Sequence, residues 1–506
     1  MGERDLAVAV IADDLSGGAD CGVAFARAGL DVAIQLDRAA APPPWAQVAV
    51  LPTDSRDGDP AQARAAVAEA VAALGRRHPA LWYKKIDSTL RGHLALELAA
   101  TIRGVRPELT VVAPAFPAHG RTMTGGHAFL NGIPLERTEV WRAQGLTGAA
   151  NLPSLLHVDG LRVTELRLDD IRAGRAAGRL ADAAGTADVV VCDAETEDDL
   201  AAIAAGGLAC GRNVLWAGSA GLAWHLAPSL NAASKSAASP DPAGKSAASP
   251  DTDRQRAASQ RAASPDPDSL DTDSTDASRL DVLSLDGVYL DSPRVDSLRG
   301  DSPRLVAGSG PRAGGAGERR PVAVVVGSAA VAAAAQFRHL ESRPGTRVIR
   351  VRPAALLHAT EGDAELAAAR QELGAALARR EDVALGLVPP DSRDGFVLDG
   401  EASRALSRAL GRIVGPHNDM IGGLVLTGGD TALAVLRACG VTSLRPLGEV
   451  VTGVPVSSAP DGRLVVTKAG AFGDDKVLAL AVDVLRGGER PCAMDAMERS
   501  SSRVRF

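Results

Sequence analysis

The chain has 506 residues, of which 46% are hydrophobic and 23% are charged, a mixture typical of globular proteins with more than one domain. Its formal net charge of −7 argues against a general affinity for nucleic acid or for anionic membranes. Five scattered cysteines without a Cys-x-x-Cys pair indicate neither a disulfide framework nor a structural zinc site. Without a signal peptide or an apolar run of membrane-spanning length, we expect a cytoplasmic protein with no membrane or nucleic-acid partner.

Short apolar segments alternate with Ala-rich helical segments in the first half of the chain. The predicted strands are LAVAVIA, DVAIQL, VAVLP, LWYKKI, LTVVAPA, DVVVCD and VLWAG, and helices such as PAQARAAVAEAVAALGRR separate several of them. This alternation predicts parallel sheets covered by helices on both faces. In such sheets, ligands bind beyond the carboxyl ends of the strands, so the residues that follow each strand are the candidate site residues.

The composition changes to Ser, Ala, Asp, Pro and Arg between about Asn231 and Arg320, where KSAASPD occurs twice. This segment has too little apolar surface to offset its ordering entropy, which predicts a disordered linker. A tolerated insertion is the simpler interpretation, and a docking or regulatory segment is the alternative. Beyond it, the predicted strands are PVAVVVGS, TRVIRV, DVALGLV, GGLVLTG and RLVVTKAG.

The predicted fold class is therefore α/β, with two domains that each contain a mainly parallel sheet flanked by helices. We place the first domain at residues 5–228 and the second at 321–488. A long low-complexity linker over 229–320 joins them, and a disordered tail occupies 489–506.

Polar residues follow four predicted strands of the first half. Asp13 and Asp14 come after the first strand and could orient hydroxyls, take a proton or hold Mg²⁺, although Asp14 could simply cap the next helix. Cations and hydroxyls together suit an anionic, polyhydroxylated ligand, and helix capping does not explain why three successive strands end in this chemistry. The candidates at the other strand ends are Arg56; Lys85, Asp87, Ser88 and Arg91; and His119, Arg121 and His127.

Glycine-rich turns follow three predicted strands of the second half. Such turns direct backbone N–H groups and a helix N-terminus towards a phosphate. There is no GxxxxGK[ST] motif, which excludes a P-loop, and no GxGxxG after the first strand, which weakens a dinucleotide site. The candidate nucleotide-binding residues are Ser328; Thr427, Gly428, Gly429, Asp430 and Thr431; and Lys468, Gly470, Ala471, Phe472 and Gly473.

Five motifs in a fixed order resemble the four-carbon acid sugar kinases, the group of 3-oxo-tetronate, D-threonate and D-erythronate 4-kinases. They are IADDLSGGADCG, KKIDSTLRGH, APAFPAHGRT with GGHAFLNGIPL, LTGGDTA and TKAGAFGDD. The resemblance implies that the N-terminal domain binds the sugar acid and the C-terminal domain binds ATP, whose γ-phosphate passes to the terminal hydroxyl. By motif, it implies a substrate pocket at Asp13, Arg56 and 85–91, and a nucleotide site at Ser328, 428–431 and 470–473.

Phosphoryl transfer requires positioning and charge neutralisation more than covalent chemistry. Lys85 and Arg91, together with Arg56, could therefore hold the substrate carboxylate or the transferring group, and Asp13 or Asp14 could accept the proton of the attacking hydroxyl. We expect Mg²⁺ to bridge the phosphates, with its protein ligands left open.

Three alternatives to a four-carbon acid kinase remain at this stage. The acceptor could be another hydroxy acid, or the protein could be a sensor of sugar acid or nucleotide that no longer turns over. Alanines at Ala329, Ala330 and Ala471, where relatives have a hydroxyl or a glycine, favour the sensor. A dehydrogenase is the weakest option. The oligomeric state is open, and a homo-oligomer is one option.

Overall fold

The computed structural model describes residues 5–142, 145–157, 160–237, 320–328, 330–358, 361–387, 400–470 and 472–487. The described parts of both halves belong to one compact unit. Most of the predicted linker and the whole predicted tail lie outside these residues, so neither prediction is tested. The last helix of the first half continues to Ala237, past Asn231, where the composition changes. None of the described helices is long and apolar enough to cross a membrane.

The first half alternates strands and helices as predicted. Its strands are β1 (Val8–Ala12), β2 (Val32–Gln35), β3 (Val48–Pro52), β4 (Leu81–Lys85), β5 (Leu109–Ala113), β6 (Arg121–Thr124), β7 (His127–Leu130), β8 (Ile133–Pro134), β9 (Val163–Leu166), β10 (Val189–Cys192) and β11 (Val214–Gly218). Its helices are α1 (Leu15–Arg27), α2 (Pro60–Gly75), α3 (Leu94–Val105), α4 (Glu139–Arg142), α5 (Leu152–Leu156), α6 (Leu168–Arg172), α7 (Ala176–Ala183), α8 (Glu197–Ala209) and α9 (Ala220–Ala237).

The second half repeats this alternation. Its strands are β12 (Val322–Val326), β13 (Thr346–Val351), β14 (Asp382–Leu387), β15 (Gly423–Thr427), β16 (Ser443–Glu449), β17 (Pro455–Ser458) and β18 (Leu464–Lys468). Its helices are α10 (Val331–Glu341), α11 (Pro353–Leu357), α12 (Glu361–Ala378), α13 (Gly400–Val414), α14 (Gly429–Ala438) and α15 (Val477–Leu485).

All the described strands except β6, β7 and β8 form one continuous sheet, in the order β13-β14-β12-β15-β18-β17-β16-β2-β3-β1-β4-β11-β5-β10-β9. Pairing in this sheet is parallel except at β16 and β17, whose pairings are all antiparallel. The prediction of two mainly parallel α/β regions is confirmed. However, the two sheets meet edge to edge through β2 and β16, where Leu444 lies opposite Ile34 and Ser443 opposite Gln35.

A small antiparallel sheet of β6, β7 and β8 carries two of the predicted site residues, Arg121 and His127. Arg121 pairs with Leu130 and Thr124 with His127 across this hairpin. The glycines at the turn, Gly125 and Gly126, both have positive φ, which a tight reversal between two strands requires. The polar residues of this segment are therefore held by a sheet and not by a free loop.

The central strands carry buried residues on both faces because helices cover the sheet on both sides. Every residue of β1, β3 and β5 is buried. The sequences of such strands are continuous apolar runs, and the polar residues that can contact a ligand come after each strand. In the first half β3, β1 and β4 are neighbours, and in the second half β12, β15 and β18 are neighbours. The candidate residues therefore leave adjacent strands, as the strand-end rule predicts.

Candidate active site

Arg56, which follows β3, clamps the two aspartates that follow β1. Its Nε donates to Asp13 Oδ2 at 2.7 Å, and its Nη2 donates to Asp14 Oδ1 at 2.8 Å. Asp14 also caps α1 by accepting from the Gly17 N–H at 3.0 Å, so capping and site formation are not exclusive. Burial alone would raise the pKa of Asp13, but the Arg56 and Lys85 cations outweigh it and lower that pKa.

A second guanidinium–carboxylate pair follows β4. Arg91 donates to Asp87 through Nε at 2.8 Å and through Nη2 at 2.7 Å. The Thr89 hydroxyl donates to the same carboxylate at 2.5 Å. Burial would raise the pKa of Asp87, yet the Arg91 and Arg56 charges hold it well below its usual value. Asp87 is therefore an ionised carboxylate that fixes the geometry of the turn.

The adjacent lysines at the end of β4 have different environments because successive side chains of a strand point to opposite faces. Lys84 is completely buried, and its Nζ lies 2.7 Å from Glu97 Oε2 on α3. Glu97 also accepts from the Ser55 hydroxyl at 2.7 Å. Lys85 Nζ donates only to the Ile86 carbonyl at 2.8 Å, and none of the described carboxylates forms an ion pair with it. Lys84 is thus structural, whereas Lys85 is available to a ligand.

A cleft with an empty volume of about 430 Å³ opens where these residues meet. Its lining combines carboxylates, cations and small residues from both halves of the chain. The lining residues are Asp14, Ser16, Gly17, Asp20, Arg56, Lys85, Asp87, Ser88, Arg91, Phe116, Arg121, Ser219, Ala220, Gly453, Ala469 and Phe472. Asp13 instead lines a smaller pocket behind Asp87, together with Lys84 and Glu97.

Arg121 is the second cation of the cleft that lacks a carboxylate partner within the described ranges. Its buried Nε and Nη1 atoms have no hydrogen-bond partner there, and its guanidinium lies over the Phe472 ring at 4.7 Å. Burial lowers the pKa of Arg121, although a guanidinium remains charged at neutral pH. An unpaired buried cation of this kind is a site for an anion.

The two predicted histidines lie outside the cleft lining. His119 stacks on Phe472 with ring centroids 4.6 Å apart and an interplanar angle of 6°. Burial, assisted by the Arg121 charge, lowers the pKa of His119 to about 4, so the imidazole is neutral at pH 7. The neutral ring packs against the Phe472 ring. His127 lies on β7 opposite Asn151 and is absent from the lining. Direct substrate binding by either histidine stays a prediction.

The three glycine-rich turns of the second half contact one another. A Cβ at Gly327 would lie 2.0 Å from Thr431 Oγ1, and a Cβ at Gly470 would lie 2.0 Å from Ser328 Oγ. Gly428, with φ of 97°, forms the N-cap of α14. Only glycine fits at Gly327 and Gly470, so the turns at the ends of β12, β15 and β18 pack closely against one another.

Lys468 stabilises the turn that follows β18. It is completely buried, and its Nζ donates to the carbonyls of Ala469, Gly470 and Phe472 at 2.8 to 3.0 Å. Thr427 is also completely buried, so its side chain faces the protein interior. Ala471 lies outside the described residues, and its predicted role is untested. Lys468 therefore shapes the turn through its carbonyls.

The two halves meet at the N-terminus of α14. A Cβ at Gly429 would lie 2.7 Å from Asp14 Oδ2, so the aspartate sits directly against the first turn of this helix. Burial together with the charges of Asp54, Asp57 and Asp14 raises the pKa of Asp430. The N-terminus of α14 therefore adjoins the cleft that Asp14 lines.

Metal-binding groups of three or more His, Cys, Asp or Glu side chains are absent from the part of the chain that the structure describes. A Mg²⁺ ion that uses one or two carboxylates and the phosphates of a nucleotide does not need such a group. Asp430, in the first turn of α14, and the neighbouring Asp54 are two candidate carboxylates for this role.

Eight cleft residues were not among the predicted site residues: Ser16, Gly17, Asp20, Phe116, Ser219, Ala220, Gly453 and Ala469. Ser219 and Ala220 follow β11, and the strand-end rule could have found them. Asp20 lies on α1 within the quoted IADDLSGGADCG motif but was not assigned. Gly453 lies between β16 and β17 and has no sequence signal, because only the pairing of β16 with β2 brings it to the cleft.

The family models match both halves. A model described as a sugar-binding N-terminal domain matches residues 8–226, and one described as a nucleotide-binding C-terminal domain matches residues 323–478. The protein is also similar in fold to a solved protein of Salmonella typhimurium LT2, with a TM-score of 0.65 and 16% identity over 94% of this chain and 98% of the other.

Curated relatives span nearly the whole chain. The D-threonate kinase of Cupriavidus necator is 34% identical over 96% of this chain and 99% of its own length. The D-threonate kinase of Salmonella typhimurium is 30% identical over 94% of this chain and 97% of its own length. The D-erythronate kinase of Heliobacterium modesticaldum is 34% identical over 41% of this chain and 49% of its own. With both domain models and full-length relatives in agreement, the chain belongs to the four-carbon acid sugar kinase family.

Proposed function

We propose that the protein transfers the γ-phosphoryl group of ATP to the terminal hydroxyl of a four-carbon sugar acid, with D-threonate as the first acceptor to test. The observation that carries this proposal is a pair of cations without a carboxylate partner among the described residues, Lys85 and Arg121, in a cleft that continues to the N-terminus of α14. Two curated relatives of nearly full length are D-threonate kinases, which favours this acid over the others.

The acceptor side of the cleft suits a small hydroxy acid. Arg56 and Arg91 are already neutralised by aspartates, so Lys85 and Arg121 are the cations left to bind the substrate carboxylate. The Ser88 side chain contributes a hydroxyl to the same wall. A carboxylate bound by these cations would orient the rest of a four-carbon chain along the cleft.

The nucleotide side is the set of glycine-rich turns. The free N–H groups of the first turn of α14 and the local dipole favour phosphate oxygens. Gly429 allows backbone to approach closely, and Ser328 lies on the neighbouring turn. A Mg²⁺ ion, with Asp430 and Asp54 as its candidate protein ligands, would neutralise charge on the phosphates.

Asp14 is our candidate for the general base. It lines the cleft and lies against the α14 N-terminus, which is where an attacking hydroxyl would meet the γ-phosphate. Asp13 lines only the smaller pocket, and its Oδ2 is held by Arg56, so we assign it the role of orienting Arg56.

The test is ADP release with Mg²⁺ and ATP across D- and L-threonate, D- and L-erythronate and the 3-oxo-tetronates. We expect turnover with D-threonate, a kcat at least about 100-fold lower in Asp14→Asn, and no change in the exposed control Asp419→Asn. Near-normal kcat in Asp14→Asn would exclude the base assignment. A panel without turnover, despite ATP-dependent thermal stabilisation, would indicate a different acceptor or a sensor.

A further inference from the structure

Asp20 is a carboxylate of the cleft that the proposed chemistry leaves without a role. It lies on the buried face of α1 among apolar residues and glycines, and it lines the cleft next to Gly17. Its side chain is buried, and its Oδ1 atom has no hydrogen-bond partner within the described ranges. Burial of an unpartnered carboxylate oxygen is costly, so its presence at a ligand cleft needs an explanation.

The other aspartates that line the cleft are already engaged. Asp14 accepts from Arg56 and from the Gly17 N–H, and Asp87 accepts two hydrogen bonds from the Arg91 guanidinium. Asp20 forms no ion pair with any described cation. Among the described residues of the cleft, Lys85 and Arg121 are therefore cations without a carboxylate partner, and Asp20 is a carboxylate without a cationic partner.

The surroundings of Asp20 combine both signs of charge. Glu449 from β16 and Asp14 face it as acids, Lys85 from β4 and Arg121 from β6 face it as cations, and Tyr83 and Cys21 lie near it. Burial, followed by the Glu449 charge, raises the pKa of Asp20 to about 7. A carboxyl group in this range can accept a hydrogen bond from a hydroxyl without requiring a cationic partner.

We propose that Asp20 is a specificity-determining residue that accepts a hydrogen bond from the C2 or C3 hydroxyl of the bound acid while Lys85 and Arg121 hold its carboxylate. This inference rests on the proposed function, because it assumes that the acid occupies this cleft. It deepens that function by explaining how the cleft selects polyhydroxylated acids. A site whose buried acceptor is satisfied only by a substrate hydroxyl rejects analogues that lack the hydroxyl.

The test compares binding of three acids by calorimetry, with a non-hydrolysable ATP analogue and Mg²⁺ present. The acids are D-threonate, 3,4-dihydroxybutanoate, which lacks the C2 hydroxyl, and 2,4-dihydroxybutanoate, which lacks the C3 hydroxyl. The variants are Asp20→Ala and Asp20→Asn, with Asp419→Asn as an exposed control. Because Asp20→Ala removes an unpartnered buried acid from a helix and introduces the best helix former, we expect it to fold.

We expect Asp20→Ala to weaken D-threonate binding about 10- to 100-fold and to weaken binding of one of the two deoxy acids about 2-fold or less. The wild-type preference for D-threonate over that analogue should therefore disappear. Asp20→Asn, which keeps a neutral oxygen acceptor, should retain part of the preference, and the control should retain all of it.

Equal losses for all three acids in Asp20→Ala, or no loss for any, would overturn the inference while leaving the kinase assignment intact. Failure of the wild-type protein to bind any of the acids would overturn the inference together with the acceptor site. Binding without ADP release would contradict only the kinase activity, so the two failures are distinguishable.

Discussion

Replacement of each adjacent lysine of β4 by methionine should separate fold stability from activity. Lys84→Met removes the partner of Glu97, whose carboxylate is buried and would keep only the Ser55 hydroxyl. Removal of one member of a buried ion pair costs about 3–5 kcal/mol, because the other charge is left uncompensated. We therefore expect a large loss in the free energy of unfolding, with a KM for the acid close to that of the wild type in the protein that remains folded.

Lys85→Met should have the opposite profile. Lys85 has no ion pair with any described carboxylate, so its loss should reduce stability less than Lys84→Met does. A hydrogen bond to a charged group contributes about 1.5–3 kcal/mol. At about 1.36 kcal/mol per factor of ten, loss of the contact with the substrate carboxylate should lower kcat/KM by about 10- to 150-fold.

The assays are urea unfolding for stability and ADP release with D-threonate for activity. Lys476→Met, at an exposed lysine, is the matched control and should change neither quantity. Wild-type stability in Lys84→Met would contradict the buried ion pair with Glu97, and wild-type kcat/KM in Lys85→Met would contradict contact of Lys85 with the substrate carboxylate. Exchange of the two profiles would mean that the assigned faces of β4 are reversed.

Three further predictions concern the nucleotide side and the contact between the halves. Gly429→Ala places a Cβ 2.7 Å from Asp14 Oδ2, so the KM for ATP, measured by ADP release, should rise by about 10-fold or more. An unchanged KM would argue against close approach of the nucleotide to this turn. Phe472→Leu removes the ring that stacks on His119 and supports Arg121, so calorimetry should find weaker acid binding even without ATP; equal affinity would mean that the stack has no role in the acid site. Burial and neighbouring carboxylates raise the pKa of Asp430 from 3.8 to about 7, so its contribution to stability is complete below pH 3.8 and is lost as the pH rises through about 7. Urea unfolding should therefore show a shallower fall in stability across this range in Asp430→Asn, and an identical slope would exclude Asp430 as the group responsible.

Much of the fold and of the candidate site could be predicted from local sequence. Buried parallel strands read as apolar runs, so β1, β3, β4 and β15 were predictable. The polar residues after β1, β3 and β4 do lie together, because adjacent parallel strands end at the same edge of a sheet. The motif order was sufficient to indicate the family.

The sequence could not predict which residues in a motif face the cleft. Lys84 and Lys85 are neighbours of the same type, and only the packing of α3 under β4 turns one into a buried partner of Glu97. Asp13 and Asp14 also differ in position. Arg56 binds both carboxylates, but of the two only Asp14 lines the larger cleft. These distinctions depend on side-chain direction, which alternates from residue to residue along a strand.

Contacts between distant segments were decided by tertiary structure alone. The β2–β16 pairing makes one sheet of the two halves, and the stack of His119, Phe472 and Arg121 joins residues about 350 positions apart in the sequence. No local pattern encodes such pairings, because they depend on which surfaces remain to be buried after each half has folded. The sequence by itself therefore determined the strands, the chemistry at their ends and the family, whereas the tertiary structure decided which charges are paired and which remain for a ligand.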